Sequence, residues 1–311
     1  MAAEVQLARC NVLVAQSIAF LRNFTSPHTR RAYRRDIQEF VSYWQERGTT
    51  FEHPADIGLD HFIAYRDFVI GQGYRSGTVC RKLIPIRSML SFCQQLGIVD
   101  RNPLEIAKLP RADPERPTPA YSDEQVRAVL ALPKRNKPIG RMHYAMLAVL
   151  FYVGVRRSEL VNLKVKDIGH DKHHRTLTIR HGKGGKTRVV PLHPVVQTAI
   201  DEYLAGVGRE LGPDDPLFST VKHARAYATP KPLCTTSVYS MVKHYVKKAG
   251  IAVPGMPHAC RATVISHLLD GRASIHDVAQ MVGHSNVATT TMYDRRRKAL
   301  DRSAAYGVNY G

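Results

Sequence analysis

Between Leu109 and Tyr121 the chain reads LPRADPERPTPAY, and four prolines in so short a stretch rule out a continuous helix or a central strand. Each proline removes a backbone donor and restricts the residue before it, so the segment is expected to be extended. A break there divides the 311 residues into two bodies of ordinary domain size. We therefore expect a domain over residues 1–110, a linker over 111–120 and a second domain over 121–311.

The first body reads as helices throughout, with periodic stretches near 10–24, SPHTRRAYRRDIQEFVSYWQERG, GLDHFIAYRDFVIGQG and SGTVCRKLIPIRSMLSFCQQLG. In the second of these, Tyr33, Ile37, Phe40, Val41 and Trp44 recur at spacings of three and four and form one apolar stripe. Arg30, Arg31, Arg34 and Arg35 fall mainly off that stripe, either as a solvated basic face or as contacts to DNA phosphates.

The second body alternates element types. Ser122 followed by two acids and Gln125 is a capping-box helix start. After the apolar helix HYAMLAVLFYVG come a short helix RSELVNL, strands around KVKDI and over 176–191, and helices PVVQTAIDEYLAG and TTSVYSMVKHYVKKAG, then a final helical group. The fold class is thus mainly α with a small antiparallel β-sheet.

Charge narrows the partners. Lys and Arg number 45 against 26 Asp and Glu, a formal net charge of +19, and such an excess points to a polyanion, with nucleic acid first. Residues 1–110 hold 14 basic against 10 acidic side chains and 111–311 hold 31 against 16, so the excess lies mostly in the second body. No apolar run approaches the length of a membrane span, and MAAEVQLARCNVLVAQ lacks the features of a secretory signal, so a cytoplasmic location without membrane contact is expected. Cys10, Cys80, Cys93, Cys234 and Cys260 show no CxxC spacing, which gives neither a zinc site nor a disulfide framework.

The GGKT within HGKGGKTRVVP (181–191) resembles a phosphate-binding loop but is not one. A Walker loop needs a glycine where this chain has Arg180, and it opens into a helix, whereas TLTIRH and TRVVPL alternate as strands. The segment reads as a hairpin tip carrying Lys183 and Lys186. Three other stretches concentrate groups that can bind phosphate. In GVRRSEL, Gly154 closes the apolar helix and Arg156 projects from the corner beside Glu159. In PHACR, Pro257 suits the first position of a helix, placing His258 and Arg261 on one face. In GHSNVATTTMY, Gly283 stops a helix, His284 follows, and Tyr293 comes nine residues later, on a helix expected to run into DRRRKALDR.

The order and spacing of these pieces, GxRxxE at Arg156, a hairpin Lys183, HxxR at 258–261, and GH followed by Tyr293, resemble the tyrosine recombinase (phage integrase) family. The helical first body, with its SPHTRRAYRRDIQEF start, is similar to that family's SAM-like core-binding domain, so the likeness spans the whole chain. It implies site-specific DNA recombination through a covalent 3′-phosphotyrosine, for integration, excision or resolution of a mobile element or replicon. The partners it implies are duplex recombination sites and a homotetramer of the chain.

The same resemblance assigns roles. Tyr293 is the nucleophile, Arg156 and Arg261 clamp the phosphate, and Lys183 is the general acid for the leaving 5′-oxygen. His258 assists proton transfer or bonds the phosphate, His284 bonds a non-bridging oxygen, Glu159 orients a neighbouring arginine or histidine, and Lys186 contacts the DNA backbone. Neither a cofactor nor a metal is expected, because the arginines neutralise the charge that metal ions neutralise in two-metal nucleases. The chain departs from the family at Ala262, where a histidine is frequent.

Three other readings fit parts of the pattern. An architectural DNA-binding relative would keep the fold but has no use for Tyr293. A metal nuclease is suggested by the histidines of GHDKHHR (169–175), yet these fall in a turn with Asp171 as their only carboxylate. A type IB topoisomerase uses similar chemistry, yet the integrase-like first body favours a recombinase.

Overall fold

The computed structural model describes residues 11–111, 118–180, 187–208, 210–219 and 230–294. The chain divides into two compact units, Met1–Glu115 and Arg116–Gly311. As the sequence suggests, it is mainly helical with one small antiparallel sheet.

Among the described residues of the first unit are α1 (Val12–Arg22), α2 (Pro27–Gln45), α3 (Leu59–Gly71) and α4 (Ser76–Gln95). α2 starts where Ser26 Oγ accepts the Thr29 N–H at 3.3 Å, with Pro27 in the first turn, where no intrahelical donor is lost. α4 buries Val79, Leu83, Ile86, Leu90 and Cys93. Their spacings of four, three, four and three lay one stripe against a core that includes Phe40, Ile57 and Phe62. Asp36 is wholly buried within this unit, and the Arg81 guanidinium offsets its charge at 2.6 Å. Of the arginines on α2, Arg30 is half-buried and donates to the carbonyls of Phe24 and Thr25, which ties it to the chain. Arg31, Arg34 and Arg35 are exposed, and Arg35 lies near Asp36 and Glu39.

The second unit is built around α6 (Pro138–Tyr152), whose residues 145–150 are all fully buried. An α-helix apolar on every side must be enclosed, and α5 (Asp123–Ala131), α8 (Pro194–Ala205) and α10 (Pro257–Asp270) pack on it. Ser122 and Gln125 form the expected capping box at the start of α5. The sheet has the order β1 (Ile168–Asp171), β2 (His174–Ile179), β3 (Arg188–Pro191), with Leu177 paired to both Ile168 and Val190. α7 (Arg157–Asn162), α9 (Thr235–Lys248), α11 (Ile275–Val282) and the four-residue α12 (Ala288–Thr291) complete the described α-helices.

Two expectations are corrected. The strand anticipated at KVKDI begins only at Ile168, because Val165–Asp167 forms a 3-10 turn. Asp167 enforces it by accepting the Lys164 N–H at 2.9 Å and the Arg180 Nε–H at 2.6 Å. Tyr293 does not lie within a helix; it stands in the turn just beyond α12. The basic run that follows it, like Lys183 and Lys186, falls outside the described residues.

Candidate active site

α6 ends at Tyr152, and two residues on Gly154 has a φ of +67°, the left-handed conformation that a side chain disfavours. A Cβ there would also lie 3.4 Å from Val264 on α10. The chain can therefore turn sharply and place Arg156 as the residue capping α7. Three residues on, Glu159 Oε2 accepts the Arg156 N–H at 2.8 Å while its Oε1 accepts from the Arg156 guanidinium at 2.7 Å. The spare Arg156 nitrogen, NH2, donates to the carbonyl of Gly283 at 2.8 Å.

Glu159 has a second cationic partner that sequence reasoning missed. Arg188, the first residue of β3, donates NH1 and NH2 to Oε1 and Oε2 at 3.1 and 2.8 Å, and its Nε to the Met281 carbonyl at 2.9 Å. Burial pushes the Glu159 carboxyl up, yet the bonds from Arg188 and Arg156 outweigh it and hold the group at about 2. A signal for Arg188 was present in the sequence: alternation puts it on the same face as buried Val190, where an arginine demands a partner.

Arg261 comes from the opposite side, on α10, and is 1% exposed. Its NH1 donates to the Gly154 carbonyl at 2.7 Å, while Nε and NH2 have no hydrogen-bond partner among the described residues. Burial lowers its pKa to about 9, assisted by the like charge of Arg156. Arg156, His258 and Arg261 together line a cleft of about 420 Å³, along with Val155, Tyr239 and Pro257.

Tyr293 reaches the same locality with its hydroxyl 3.5 Å from His258 Nε2, a long contact for a hydrogen bond. Its ring is 6% exposed and belongs to a cluster with Ala262, Ile265, Leu269, Val278 and Val282. Ala262, where a histidine was the family expectation, is a fully buried member of this cluster. Its methyl is small and apolar, and it suits a packing position beneath α11.

Gly283 ends α11 with φ +71°, and His284 follows it. The His284 Nδ1 lies 2.8 Å from Thr290 Oγ1, a buried hydroxyl that nothing in the ATTT run distinguished beforehand. Desolvation, followed by the charges of Arg261 and Arg156, pushes His284 down to about 4. The same causes in the same order lower His258. Both imidazoles are therefore held toward the neutral form beside a set of fixed cations.

The sequence pattern of the phage integrase family matches residues 121–299, and that of the phage integrase N-terminal SAM-like domain matches residues 19–95. The chain belongs to the phage integrase family, the site-specific tyrosine recombinases. Among its relatives, tyrosine recombinase XerD of Pseudomonas aeruginosa is 29% identical over 283 residues, covering 90% of each chain. Tyrosine recombinase XerC of Pelobacter propionicus is 30% identical over 285 residues, covering 89% of each. In fold, the chain is similar to the Tn1549 transposon integrase solved with transposon right end DNA, with a TM-score of 0.71, 18% identity and coverage of 95% and 98%. It is also similar to the XerH recombinase solved in a post-cleavage complex with its difH substrate, with a TM-score of 0.69, 18% identity and coverage of 90% and 80%.

Proposed function

We propose that the chain cuts and rejoins duplex DNA at a specific site through a covalent bond between Tyr293 and a 3′-phosphate. The observation that carries this is Arg261, a buried guanidinium with two nitrogens unpartnered among the described residues, in one cleft with Arg156 and His258 and near the Tyr293 hydroxyl. A buried charged donor without a partner is costly, and a phosphate oxygen is the ligand that relieves it.

In the reaction the Tyr293 oxygen attacks phosphorus and the bond from phosphorus to the 5′-oxygen breaks. A phenol of ordinary pKa near 10 is a weak nucleophile, so the proton must leave as the bond forms, and neutral His258 is placed to accept it. Negative charge builds on the non-bridging oxygens, where Arg156 and Arg261 act as fixed donors. His284 Nδ1 lies 2.8 Å from Thr290 Oγ1; we assign Thr290 as the donor, which places the proton of the neutral imidazole on Nε2, available to the same oxygens. Lys183 donates a proton to the departing 5′-oxygen, and Lys186 contacts the backbone. A 5′-hydroxyl from another strand reverses the sequence of bonds, so rejoining needs no nucleotide cofactor, and the cationic cluster leaves no task for a metal.

Exposed Arg31, Arg34 and Arg35 are assigned to DNA phosphates, with Arg30 holding the start of α2 in place. Strand exchange between two sites requires four copies, and we assign the working assembly as a homotetramer on two duplexes. The biological task is integration, excision or resolution of a mobile element or replicon.

Covalent trapping tests the reaction. The protein is incubated in EDTA with nicked duplex fragments cut from the DNA that encodes it, then denatured with detergent. Adducts are expected from the wild type and not from Tyr293→Phe; DNA binding without adducts would leave an architectural role instead.

A further inference from the structure

The ionic group around Glu159 contains an arginine, Arg188, that the reaction above does not use. Arg188 is 11% exposed at its side chain, and each of its guanidinium nitrogens is engaged within the protein, by the two Glu159 oxygens and the Met281 carbonyl. It therefore differs from Arg261, two of whose nitrogens have no partner among the described residues.

The bonds of Arg188 close a ring. From Arg188 the path runs to Glu159, from Glu159 to the side chain and backbone of Arg156, and from Arg156 NH2 to the Gly283 carbonyl. Two residues back along the chain lies Met281, whose carbonyl returns the path to Arg188 Nε. The ring joins three elements distant in sequence: α7, β3 and the C-terminal turn of α11. The packing is tight at its closing edge, where a Cβ on Gly283 would come within 2.7 Å of Arg188 NH1.

We propose that Arg188 is a positioning residue for strand cleavage, fixing through Glu159 the clamp arginine Arg156 and through Met281 the turn that presents His284. This rests on the phosphoryl-transfer reading of the cleft. Free Arg156 would have several rotamers open to it, whereas the ring holds its guanidinium at one position before substrate arrives. Lysine cannot replace Arg188 fully, since one nitrogen cannot bridge two carboxylate oxygens and a carbonyl in the fixed plane of a guanidinium.

The test compares wild type, Arg188→Ala and Arg188→Lys on nicked duplex fragments cut from the encoding DNA. Adduct formation is timed at saturating DNA, and binding is measured separately. Both variants should bind within about twofold of wild type, while R188A slows adduct formation by about tenfold to a hundredfold and R188K by less. Adding Glu159→Gln to R188A should slow it little further, because both changes open one ring. If R188A melts early, R188K carries the comparison. Equal adduct rates in wild type and the folded variants overturn the positioning role and leave the reaction standing. Weakened binding with an unchanged saturated rate also overturns it, since that marks a direct phosphate contact. A wild type that binds these fragments and forms no adduct overturns the reaction and this inference together.

Discussion

Placing the Arg261 guanidinium at 1% exposure with a single nitrogen bonded among the described residues costs the free protein stability, because its two remaining nitrogens are buried without a partner among those residues. That cost is recovered when phosphate fills the cleft, and more so as charge grows on its oxygens. Arg261→Lys should therefore slow adduct formation by about a hundredfold to a thousandfold, the range for removing one fixed donor to a developing anion. A rate near wild type in timed trapping would place the phosphate elsewhere. Glu159 gives a separate test through pH. Its carboxyl is held at about 2 in the folded chain, below the ordinary value near 4.3, so its stabilisation is complete above the ordinary value and fades as pH falls toward 2. Denaturant unfolding at pH 7 should show Glu159→Gln less stable by on the order of 3 kcal/mol, with the difference shrinking below pH 4. A difference that is constant down to pH 2 would contradict the assignment. His284 acts in a higher window: its pKa of about 4 lies below the ordinary value near 6.5, so the folded chain keeps it neutral down to about 4 and loses stability as pH falls from the ordinary value toward 4.

The turn after α11 shows what an element must supply. Gly283 sits at φ +71° with Arg188 pressed against it, so Gly283→Ala adds left-handed strain and a clash with a guanidinium that has no free direction to move. A loss of about 1–2 kcal/mol is expected from the backbone alone, together with slower cleavage as the ring opens. Thermal unfolding and timed trapping measure the two effects, and an alanine variant matching wild type in both would show that the turn relaxes freely. The helices were legible because local signals agree with their packing: α4 repeats its apolar residues at three and four, and Ser122 with Gln125 announces α5. Gly154 and Gly283 were legible as stops for the same reason. The Asp167 turn was not, since its hydrogen bonds to Lys164 and Arg180 override a strand-like pattern. In the site, motif spacing pointed to Arg156, His258, Arg261, His284 and Tyr293. Strand alternation marked Arg188 as inward-facing but could not name Glu159, 29 residues away, as its partner, and nothing in the ATTT run singled out Thr290 as the one facing His284.

At the scale of the whole molecule, a net charge of +19 makes association with DNA largely a release of counterions. Binding should weaken linearly in logarithmic terms as salt rises, and Arg34→Ala, at an exposed position of α2, should reduce the slope by about one without changing which site is preferred. An unchanged slope in an anisotropy titration would remove Arg34 from the interface. Charge gathers the polyanion, but only the cleft can make and break its backbone, and the account stands on Tyr293 becoming joined to a 3′-phosphate. The most direct measurement is mass spectrometry of the trapped adduct after digestion with nuclease and protease. Expected is a nucleotide linked through its 3′-phosphate to the peptide containing Tyr293, with a 5′-hydroxyl on the released strand. A nucleotide on any other residue, or a 5′-phosphate on the released strand, would contradict it.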